Sequence, residues 1–566
     1  MRSALIACVA CGSILLAACA NRLPFDSGVQ RETSLGPVVG VAADGTYSWK
    51  AIPFAAPPIG SLRWRAPADA SAWTQPRRAD RFAQACVQTG RLYSPGANNR
   101  YDETIGTTLG QTVGSEDCLY LNVWQPSAAA HGARPVIVFV HGGSNITGYT
   151  ADPVYDGAAL ARTADAVVVT VNYRLGIFGF LDVPALRTGD AREDSGNYAL
   201  LDIVKALEFV QKNISAFGGD PHRVTLMGQS AGAVNVYALL TSPMLASRHD
   251  ALFQRVLAMS GGLSTAATLP PGAIAGVLPR SVWATRGDAL LVQSLAQENR
   301  LPGTPDADAQ YLRSRSADFL LGIVRTRLAP RGMAASNPIP DGTVVAVDPI
   351  AAIRAGRYVK VPVLAGITRD ETKLFPQLLA IRPAFGGVSG RLLGDAAVFK
   401  LAHHYDASAA PATRVEDWIP AAYLPVDAAR TGFDARTHEL NRLWFEAIRN
   451  DMLDALRSQQ ADVWCYRFDW DELPKPFDVI FGAAHTFDLP FIFGNFGPSL
   501  YSRISFTPAN QPGRLALSHA MMESVGAFAA RGDPDTSALG TTWPRWPRLL
   551  VFDADASKTN IRAADR

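Results

Sequence analysis

The run Gly228-Gln229-Ser230-Ala231-Gly232 limits the fold of this chain more than any other segment. An apolar run, residues 224–227, precedes it and a helix-like run, residues 233–240, follows it. A serine between two glycines, on a turn from a strand into a helix, is typical of a nucleophile elbow. The turn is so tight that side chains two positions before and after the serine would collide, which glycine avoids. The motif therefore predicts that the Ser230 hydroxyl stands clear of the backbone, where it can act as a nucleophile.

Six short runs rich in β-branched residues predict buried strands, because they lack polar alternation. They are residues 136–140, 167–171, 224–227, 256–259, 361–365 and 463–468. Residues 200–210 carry apolar side chains at helical spacing, and residues 513–530 predict a long C-terminal helix. Strands that alternate with helices indicate an α/β fold with a mostly parallel central sheet flanked by helices. Residues 265–337 and 376–425 lack a strand pattern, and we expect helical insertions over the carboxyl edge of the sheet, where a substrate pocket forms.

The composition excludes several classes of function. The chain has 566 residues, of which 48% are hydrophobic and 18% charged, as in a globular protein with a large core. Its 53 basic and 51 acidic residues give a net charge of +2 without a basic stripe, so we expect no nucleic-acid partner. The adjacent His403 and His404 have no further ligands at suitable spacing, which favours solvent-exposed loop residues over a metal site. We expect neither a metal nor a cofactor.

The N-terminus resembles an export signal. Arg2 supplies a positive charge, and residues 4–18 are small and apolar but too short to span a bilayer comfortably. The run Leu16-Ala17-Ala18-Cys19 resembles a bacterial lipobox, in which Cys19 is lipidated and becomes the first mature residue. The same region also fits an A-x-A site, whose cleavage after Ala20 would release the protein without an anchor.

We favour the lipobox. Residues 1–18 are then a signal peptide, and residues 19–35 form a tether between the lipid on Cys19 and the folded body. The expected location is outside the cytoplasm of a bacterium, as a lipoprotein on the periplasmic or outer-membrane face. The lipid anchor would be the membrane contact of the protein.

A serine hydroxyl needs an adjacent base to react at neutral pH. On an elbow of this kind the acid and the histidine follow the serine in chain order. Asp370 and Glu371 come directly after the predicted strand 361–365, at the carboxyl end, where catalytic residues collect. Of the later histidines, His438 and His519 lie in helix-like patterns, whereas His485 lies in a loop of small residues that lets the ring swing over a pocket.

Three further motifs carry a resemblance to a known family. They are Glu116-Asp117-Cys118-Leu119-Tyr120-Leu121-Asn122-Val123, Asn172-Tyr173-Arg174-Leu175-Gly176 and Phe217-Gly218-Gly219-Asp220-Pro221. With the elbow, they resemble the type-B carboxylesterase family, which includes cholinesterases and the bacterial para-nitrobenzyl-esterase-like carboxylesterases. The similarity runs from about Gly36 to Phe552. It implies an α/β-hydrolase fold in a single domain over residues 36–566.

The resemblance also implies the roles of the triad residues. It favours Glu371 over Asp370 as the acid, because Glu371 matches the glutamate of the family's K-D-E-G-like segment. It favours His485 as the base, because an aromatic-rich run, Asp488-Leu489-Pro490-Phe491-Ile492-Phe493-Gly494, follows that histidine. His485 would take the proton of Ser230 and return one to the leaving alcohol, while Glu371 fixes the imidazole tautomer.

The tetrahedral intermediate needs backbone donors. One is the N–H of Ala231, directly after the nucleophile. The run His141-Gly142-Gly143-Ser144-Asn145 follows a predicted strand and resembles the family's H-G-G-G-[FY] segment, which implies Gly143 and Ser144 as the other donors. Ser144 replaces the third glycine, and its N–H survives that change. Asn145 replaces the aromatic residue, and we expect this to alter the pocket wall.

Other residues are assigned to folding. An exported protein meets an oxidising compartment, which favours a disulfide between Cys86 and Cys118, a pair that also resembles the family's first disulfide. Cys465 lies in a strand-like run, and we expect it to be a buried free thiol. The resemblance further implies buried ion pairs between Arg63 and Glu116 and between Arg174 and Asp202, and a supporting role for Ser260 near the triad.

The predicted function is therefore a serine carboxylesterase that acts through an acyl-enzyme on neutral small or medium esters. One alternative is a lipase, which would prefer long acyl chains. Another is a non-catalytic adhesion or scaffold module, although all three triad residues are present. A choline ester is not the expected substrate, because Gln229 stands where cholinesterases carry a glutamate and residues 87–117 contain no tryptophan to stack on a quaternary ammonium. Nothing in the sequence sets the oligomeric state or the natural ester.

Overall fold

A computed structural model describes residues 27–298, 304–375, 394–406 and 413–566. The proposed signal peptide and Cys19 lie outside these residues. In the described part, the strands are β1 Gln30–Thr33, β2 Gly36–Val39, β3 Val41–Ala43, β4 Thr46–Pro53, β5 Arg77–Arg78, β6 Gln88–Thr89, β7 Thr112–Val113, β8 Tyr120–Pro126, β9 Arg134–Val140, β10 Val167–Val171, β11 Gly219–Gln229, β12 Arg255–Met259, β13 Val363–Thr368, β14 Val463–Phe468, β15 Leu549–Phe552 and β16 Arg562–Ala564.

One large sheet carries most of these strands. Across the described residues it has eleven strands in the order β16-β15-β14-β13-β12-β11-β9-β10-β8-β4-β3. Strands β15 to β10 of this order run parallel, whereas β16 at one side and β8, β4 and β3 at the other pair antiparallel. The parallel centre confirms the predicted α/β fold.

Both faces of the sheet centre are buried. Along β9, Val136 and Val138 face one apolar cluster while Ile137 and Phe139 face the other, because successive strand side chains point to opposite faces. Helices cover each face, and no position on β9 or β10 is left to water. This explains the unbroken apolar runs in the sequence.

The helices alternate with the strands or lie above the sheet. They are α1 Ile105–Thr108, α2 Ala158–Ala164, α3 Gly176–Gly179, α4 Tyr198–Asn213, α5 Ala231–Leu240, α6 Pro243–Ala246, α7 Arg280–Glu298, α8 Pro305–Ser314, α9 Ala317–Ile323, α10 Pro349–Arg354, α11 Asp395–His404, α12 Val415–Trp418, α13 Phe433–Asn441, α14 Ala447–Arg457, α15 Phe477–Ile480, α16 Leu489–Phe493, α17 Ser502–Ser505 and α18 Gln511–Arg531. Among the residues described, no helix combines the length and the apolar character needed to cross a bilayer.

The predicted elements agree closely with the observed ones. Strands β10 and β14 have the predicted bounds, and α4 and α18 contain the predicted helices. The described residues of the first insertion, 265–298 and 304–337, are largely helical as expected, and the second insertion is likewise described only in part. The predicted tether of residues 19–35 is wrong at its end, because β1 pairs antiparallel with β2 and so belongs to the folded body.

The residues assigned to folding occupy buried sites. Cys86 and Cys118 form a disulfide, and Cys465 is a buried free thiol whose pKa burial raises to about 11. Arg174 makes two hydrogen bonds to Asp202, at 2.8 and 2.7 Å, with both side chains almost fully buried. The Arg63 guanidinium pairs in the same way with Glu116, at 2.7 and 2.5 Å.

Candidate active site

The Ser230 elbow has the geometry that the motif predicts. Ser230 joins β11 to α5 with φ 56° and ψ −124°, a backbone conformation that residues other than glycine rarely adopt. A Cβ on Gly228 would lie 2.5 Å from the Gly232 carbonyl carbon, and one on Gly232 would strike the carbonyl oxygen of Val140. Glycine at both positions is therefore required for the turn to close.

His485 and Glu371 form a buried hydrogen-bonded pair. His485 Nδ1 contacts Glu371 Oε2, and the side chains are 3% and 0% exposed. The backbone N–H of Thr368 donates to the other oxygen, Glu371 Oε1, at 2.8 Å. A carboxylate that accepts from Nδ1 leaves the His485 Nε2 lone pair facing the serine side, as a general base requires.

The neighbouring acid, Asp370, has a different task. Its Oδ2 accepts from Arg369 Nε at 2.9 Å and from the Ala483 backbone N–H at 3.0 Å. The Asp370 N–H in turn donates to the Ala483 carbonyl at 3.0 Å. Asp370 therefore ties the loop that carries His485 to the end of β13, while Glu371 is the acid that reaches the imidazole.

Gln229 touches the other ring nitrogen. Its side-chain amide nitrogen lies 3.2 Å from His485 Nε2, and the side chain is buried. Among the described residues no hydrogen bond joins the Ser230 hydroxyl to His485. The amide therefore uses the same lone pair that the serine proton needs. The sequence singled out Gln229 for its lack of charge, and this contact was not foreseen.

Two aromatic rings flank the imidazole. The ring centroids of Phe375 and Phe445 lie 5.0 and 5.2 Å from that of His485. Both rings limit the tilt of the imidazole through packing. The sequence carried no signal for either residue, because Phe375 and Phe445 are far from His485 along the chain.

The expected oxyanion donors lie beside Ser230. Gly143 and Ser144 line the cavity that holds Ser230, and no described residue accepts a hydrogen bond from their backbone N–H groups. Ala231 is the first residue of α5, so its N–H has no partner within the helix. Gly143 and Ser144 have φ of 102° and 55°, which turns this loop sharply.

Asn145 occupies the position at which the family's motif has an aromatic residue, a replacement expected to alter the pocket wall. Asn145 is fully buried and does not line the cavity. Its left-handed backbone, with φ 57°, turns the side chain inward, where it exchanges hydrogen bonds with Asn235. The buried Asn145 amide is tolerated there because Asn235 provides its hydrogen-bond partner, and the motif alone does not reveal this partner.

The cavity above Ser230 has a volume of about 380 Å³. Its wall is rich in aromatic side chains from the segments after β6, β9, β13 and β14, including Tyr93, Tyr155, Phe375, Trp418, Phe433, Trp444, Trp470, Phe481, Phe487, Tyr501 and Phe506. Of the two predicted insertions, the second lines the cavity through α11 and α12. The described residues of the first do not, because its helices bury their apolar faces in a separate cluster around Leu290, Leu312 and Leu320. Trp283, on α7, is a core residue that is 3% exposed.

Three indole rings nevertheless reach the cavity, from positions outside the loop between the disulfide cysteines. The cations at its wall are paired: Arg91 with Asp395 at 3.0 Å and Lys373 with Asp434 at 2.8 Å. Asp152 also lines the cavity, and burial raises the pKa of this carboxyl to about 6. No described residue forms an ion pair with Asp152.

The remaining predictions concern residues near the site. Ser260 directly follows β12, which lies between β11 and β13, the strands that lead to Ser230 and Glu371. Its buried hydroxyl has no hydrogen-bond partner among the described residues. His403 and His404 end helix α11 rather than lying in a loop, and His403 stacks on Phe399. The described residues contain no group of three or more side chains suited to hold a metal.

Known proteins share both the sequence and the fold. A model of the carboxylesterase family matches residues 27–562. The fumonisin B1 esterase of Sphingopyxis macrogoltabida is 34% identical over 92% of this chain and 85% of its own. The para-nitrobenzyl esterase of Bacillus subtilis (strain 168) is 31% identical over 93% of this chain and 95% of its own. A solved PNB esterase structure superimposes with a TM-score of 0.71 and 27% identity, over 95% of this chain and 97% of that one.

Proposed function

Since the chain belongs to the carboxylesterase family and is a carboxylic ester hydrolase, we propose that Ser230, His485 and Glu371 carry the reaction. The observation that supports this most directly is the buried hydrogen bond from His485 Nδ1 to Glu371 beside a serine on a strained elbow. A base oriented by a carboxylate, next to a nucleophile, is the arrangement that acyl transfer to serine needs.

The reaction proceeds through an acyl-enzyme. Ser230 Oγ attacks the ester carbonyl carbon while its proton passes to His485 Nε2. The carbonyl oxygen becomes an oxyanion, and collapse of the intermediate breaks the C–O bond to the alcohol, which leaves with the proton from His485. Water then attacks the acyl carbon while His485 takes its proton. The bond to Ser230 Oγ breaks, Ser230 regains a proton from His485, and the carboxylic acid leaves. Glu371 stabilises the imidazolium in both halves.

One exchange precedes proton transfer. His485 Nε2 has a single lone pair, and Gln229 occupies it in the resting enzyme at 3.2 Å. The Ser230 hydroxyl has to replace the amide before it can hand over its proton. Catalytic hydrogen bonds that tighten only when substrate binds are common in unliganded enzymes.

The oxyanion is held by backbone N–H groups. Gly143 and Ser144 supply two and Ala231 supplies the third, and none of these N–H groups has another acceptor among the described residues. Losing one such donor typically costs roughly a hundred- to a thousandfold in kcat, because the donors act on charge that appears only in the transition state.

The cavity favours neutral small or medium esters. A volume of about 380 Å³ and an aromatic wall suit apolar acyl and alcohol groups. The competing function is that of a lipase that prefers long acyl chains. Rates on p-nitrophenyl esters from C2 to C16 separate the two: we expect kcat/KM to peak at C2–C8, and a maximum at C12 or longer would favour the lipase. A choline ester assayed beside its neutral analogue tests the expectation that the choline ester is not preferred.

The catalytic proposal is tested with Ser230→Ala on p-nitrophenyl acetate. We expect a loss of at least a thousandfold in kcat, since triad members act as a unit. Ser264→Ala is the control, because Ser264 is a buried serine that does not line the cavity. Activity of Ser230→Ala within about tenfold of wild type would contradict the mechanism and favour a scaffold role for this site.

We also propose that the protein is anchored outside the bacterial cytoplasm through a lipid on Cys19. The lipobox-like run 16–19 supports this, and residues 1–26 lie outside the described part. Metabolic labelling with an alkyne palmitate should mark the wild type but not Cys19→Ser. Equal labelling of both would remove the basis for the anchor.

A further inference from the structure

The oxyanion donors come from two separate elements. Gly143 and Ser144 lie on the loop after β9, whereas Ala231 begins α5. The three N–H groups can converge on one oxygen only if the loop and the helix keep a fixed relative position. Preorganised donors are effective because they do not have to move when charge develops.

The loop is under conformational strain. Gly143, Ser144 and Asn145 have φ of 102°, 55° and 57° in succession. Two consecutive non-glycine residues in the left-handed region persist only where their surroundings over-determine them. Local bonds contribute, since the Ile146 and Thr147 N–H groups both donate to the Gly143 carbonyl at 3.1 Å. These bonds shape the loop but do not connect it to α5.

The connection to α5 is a reciprocal pair of buried amides. Asn235 Nδ2 donates to Asn145 Oδ1 at 2.8 Å, and Asn145 Nδ2 donates back to Asn235 Oδ1 at 3.3 Å. Both side chains are fully buried. Asn235 is four residues after Ala231 and therefore lies on the same face of α5, one turn below the third donor.

A second anchor holds the loop from the other side. The Tyr173 hydroxyl donates to the His141 carbonyl at 2.7 Å and lies 3.3 Å from Asn145 Oδ1. The Tyr173 ring also stacks on the His141 ring, with centroids 4.6 Å apart. The Gly176 N–H donates to the Asn145 carbonyl at 2.6 Å. Asn145 is thus bonded at both its backbone and its side chain.

We propose that Asn145 and Asn235 are positioning residues that clasp the oxyanion loop to the nucleophile helix and so set the spacing of the three donors. We call this pair the asparagine clasp. The inference rests on the proposed function, since it assigns the oxyanion to these donors. The clasp touches neither the ester nor Ser230 and acts through the backbone of Gly143, Ser144 and Ala231.

The clasp predicts a specific kinetic signature. Displaced donors weaken the bond to an oxyanion more than the bond to a ground-state ester. In Asn145→Ala and Asn235→Ala, kcat for p-nitrophenyl acetate should therefore fall ten- to a hundredfold while KM changes less than threefold. The affinity of a trifluoromethyl ketone, which forms an oxyanion on addition to serine, should fall by the same factor. The double variant should lose little more than either single variant, because both remove one interaction.

Asn122→Ala is the matched control. Asn122 is equally buried, accepts from the Ala51 N–H at 3.0 Å and donates to Thr170 at 2.9 Å, far from the cavity lining. It should lower the melting temperature about as much as the clasp variants while kcat stays within twofold of wild type. A role in stability alone predicts that both single clasp variants behave like this control, and that result would overturn the proposal.

Tyr173→Phe covers the case in which the alanine variants do not fold. It keeps the ring stacked on His141 and removes only the hydroxyl that fixes the loop. Because the same hydroxyl also bonds Asn145 Oδ1, we expect kcat to fall three- to tenfold with KM unchanged. An unchanged kcat in this folded variant would show that anchoring the loop through Asn145 does not set the donors, and would overturn the proposal. Failure of the proposed function is distinguishable, because it would appear as activity that survives Ser230→Ala, whatever the clasp variants do.

Discussion

Replacing Gln229 by glutamate would place a negative charge beside His485, the proposed catalytic base. In the structure the Gln229 amide nitrogen lies 3.2 Å from His485 Nε2, and glutamate has almost the same shape as glutamine. Coulomb's law at this distance gives an attraction to the imidazolium of roughly 1 kcal/mol at the dielectric constant of water and roughly 5 kcal/mol at an effective value of about 20. Since about 1.4 kcal/mol corresponds to one pH unit, this attraction stabilises the protonated ring by the equivalent of roughly one to several pH units.

The measurement is the pH dependence of kcat/KM for p-nitrophenyl acetate. The acidic limb, where activity appears as the base loses its proton, should move upward by roughly one to three pH units in Gln229→Glu, the range known for a carboxylate beside a cation. Gln229→Met is the control for loss of the amide without a charge, and its acidic limb should stay near that of wild type. The burial of Gln229 keeps salt from screening the effect, so the shift should persist in 0.5 M NaCl.

If the acidic limb of the pH profile moves by less than about 0.3 pH units in Gln229→Glu, this reasoning is refuted. It would mean that the contact between Gln229 and His485 is absent in the working enzyme, or that a group other than His485 controls the limb. An equal shift in Gln229→Met would point to the lost hydrogen bond and not to the added charge.

Three further predictions concern stability and the elbow. The disulfide closes a separation of 32 residues, so the double variant Cys86→Ser/Cys118→Ser should lose roughly 3–4 kcal/mol of unfolding free energy in urea titrations, and a loss below 1 kcal/mol would contradict the chain-entropy argument. Burial raises the pKa of Asp488 from 3.8 to about 6, so the native state binds this proton more tightly than the unfolded chain does. Between pH 4 and pH 6 the wild type should therefore lose about 2 kcal/mol of stability relative to Asp488→Asn, and parallel pH–stability curves would exclude this cause. Gly232→Ala should lower kcat at least tenfold or prevent folding, because the added Cβ meets a strand carbonyl, whereas Gly497→Ala, in open space, should leave kcat unchanged.

The sequence predicted the sheet centre better than its margins. Strands β10 and β14 are apolar on both faces, and their composition alone marks their bounds. Strand β13 starts two residues later than predicted, after Pro362, whose ring nitrogen cannot donate to a sheet neighbour. The antiparallel strand β4 was not predicted, because a register shift after Trp49 and the positive φ of Ala51 break its alternation.

Within the site, the sequence predicted residue types but not all of their surroundings. Ser230, Glu371 and His485 could be predicted because Ser230 and Glu371 follow recognisable strands and His485 precedes an aromatic-rich motif. The inward turn of Asn145 depends on a partner 90 residues away, Asn235, and no local pattern announces it. The contact of Gln229 with His485 likewise spans 256 residues. Such contacts follow from the fold and become visible only when the strands are assembled.

The order of the parallel strands explains how residues so far apart meet. In the sheet, β9, β11, β12, β13 and β14 are consecutive neighbours. Gly143, Ser230, Ser260 and Glu371 follow the carboxyl ends of the first four strands, in that order. The loop with His485 follows β14. Ser230 and Glu371 are two strands apart, roughly 10 Å at the usual strand spacing, which is too far for a direct bond. An imidazole with a hydrogen bond of roughly 2.8 Å on each side fills such a gap. His485 can do so because the loop after β14 folds back onto β13, and the 114 residues between it and Glu371 do not affect that distance.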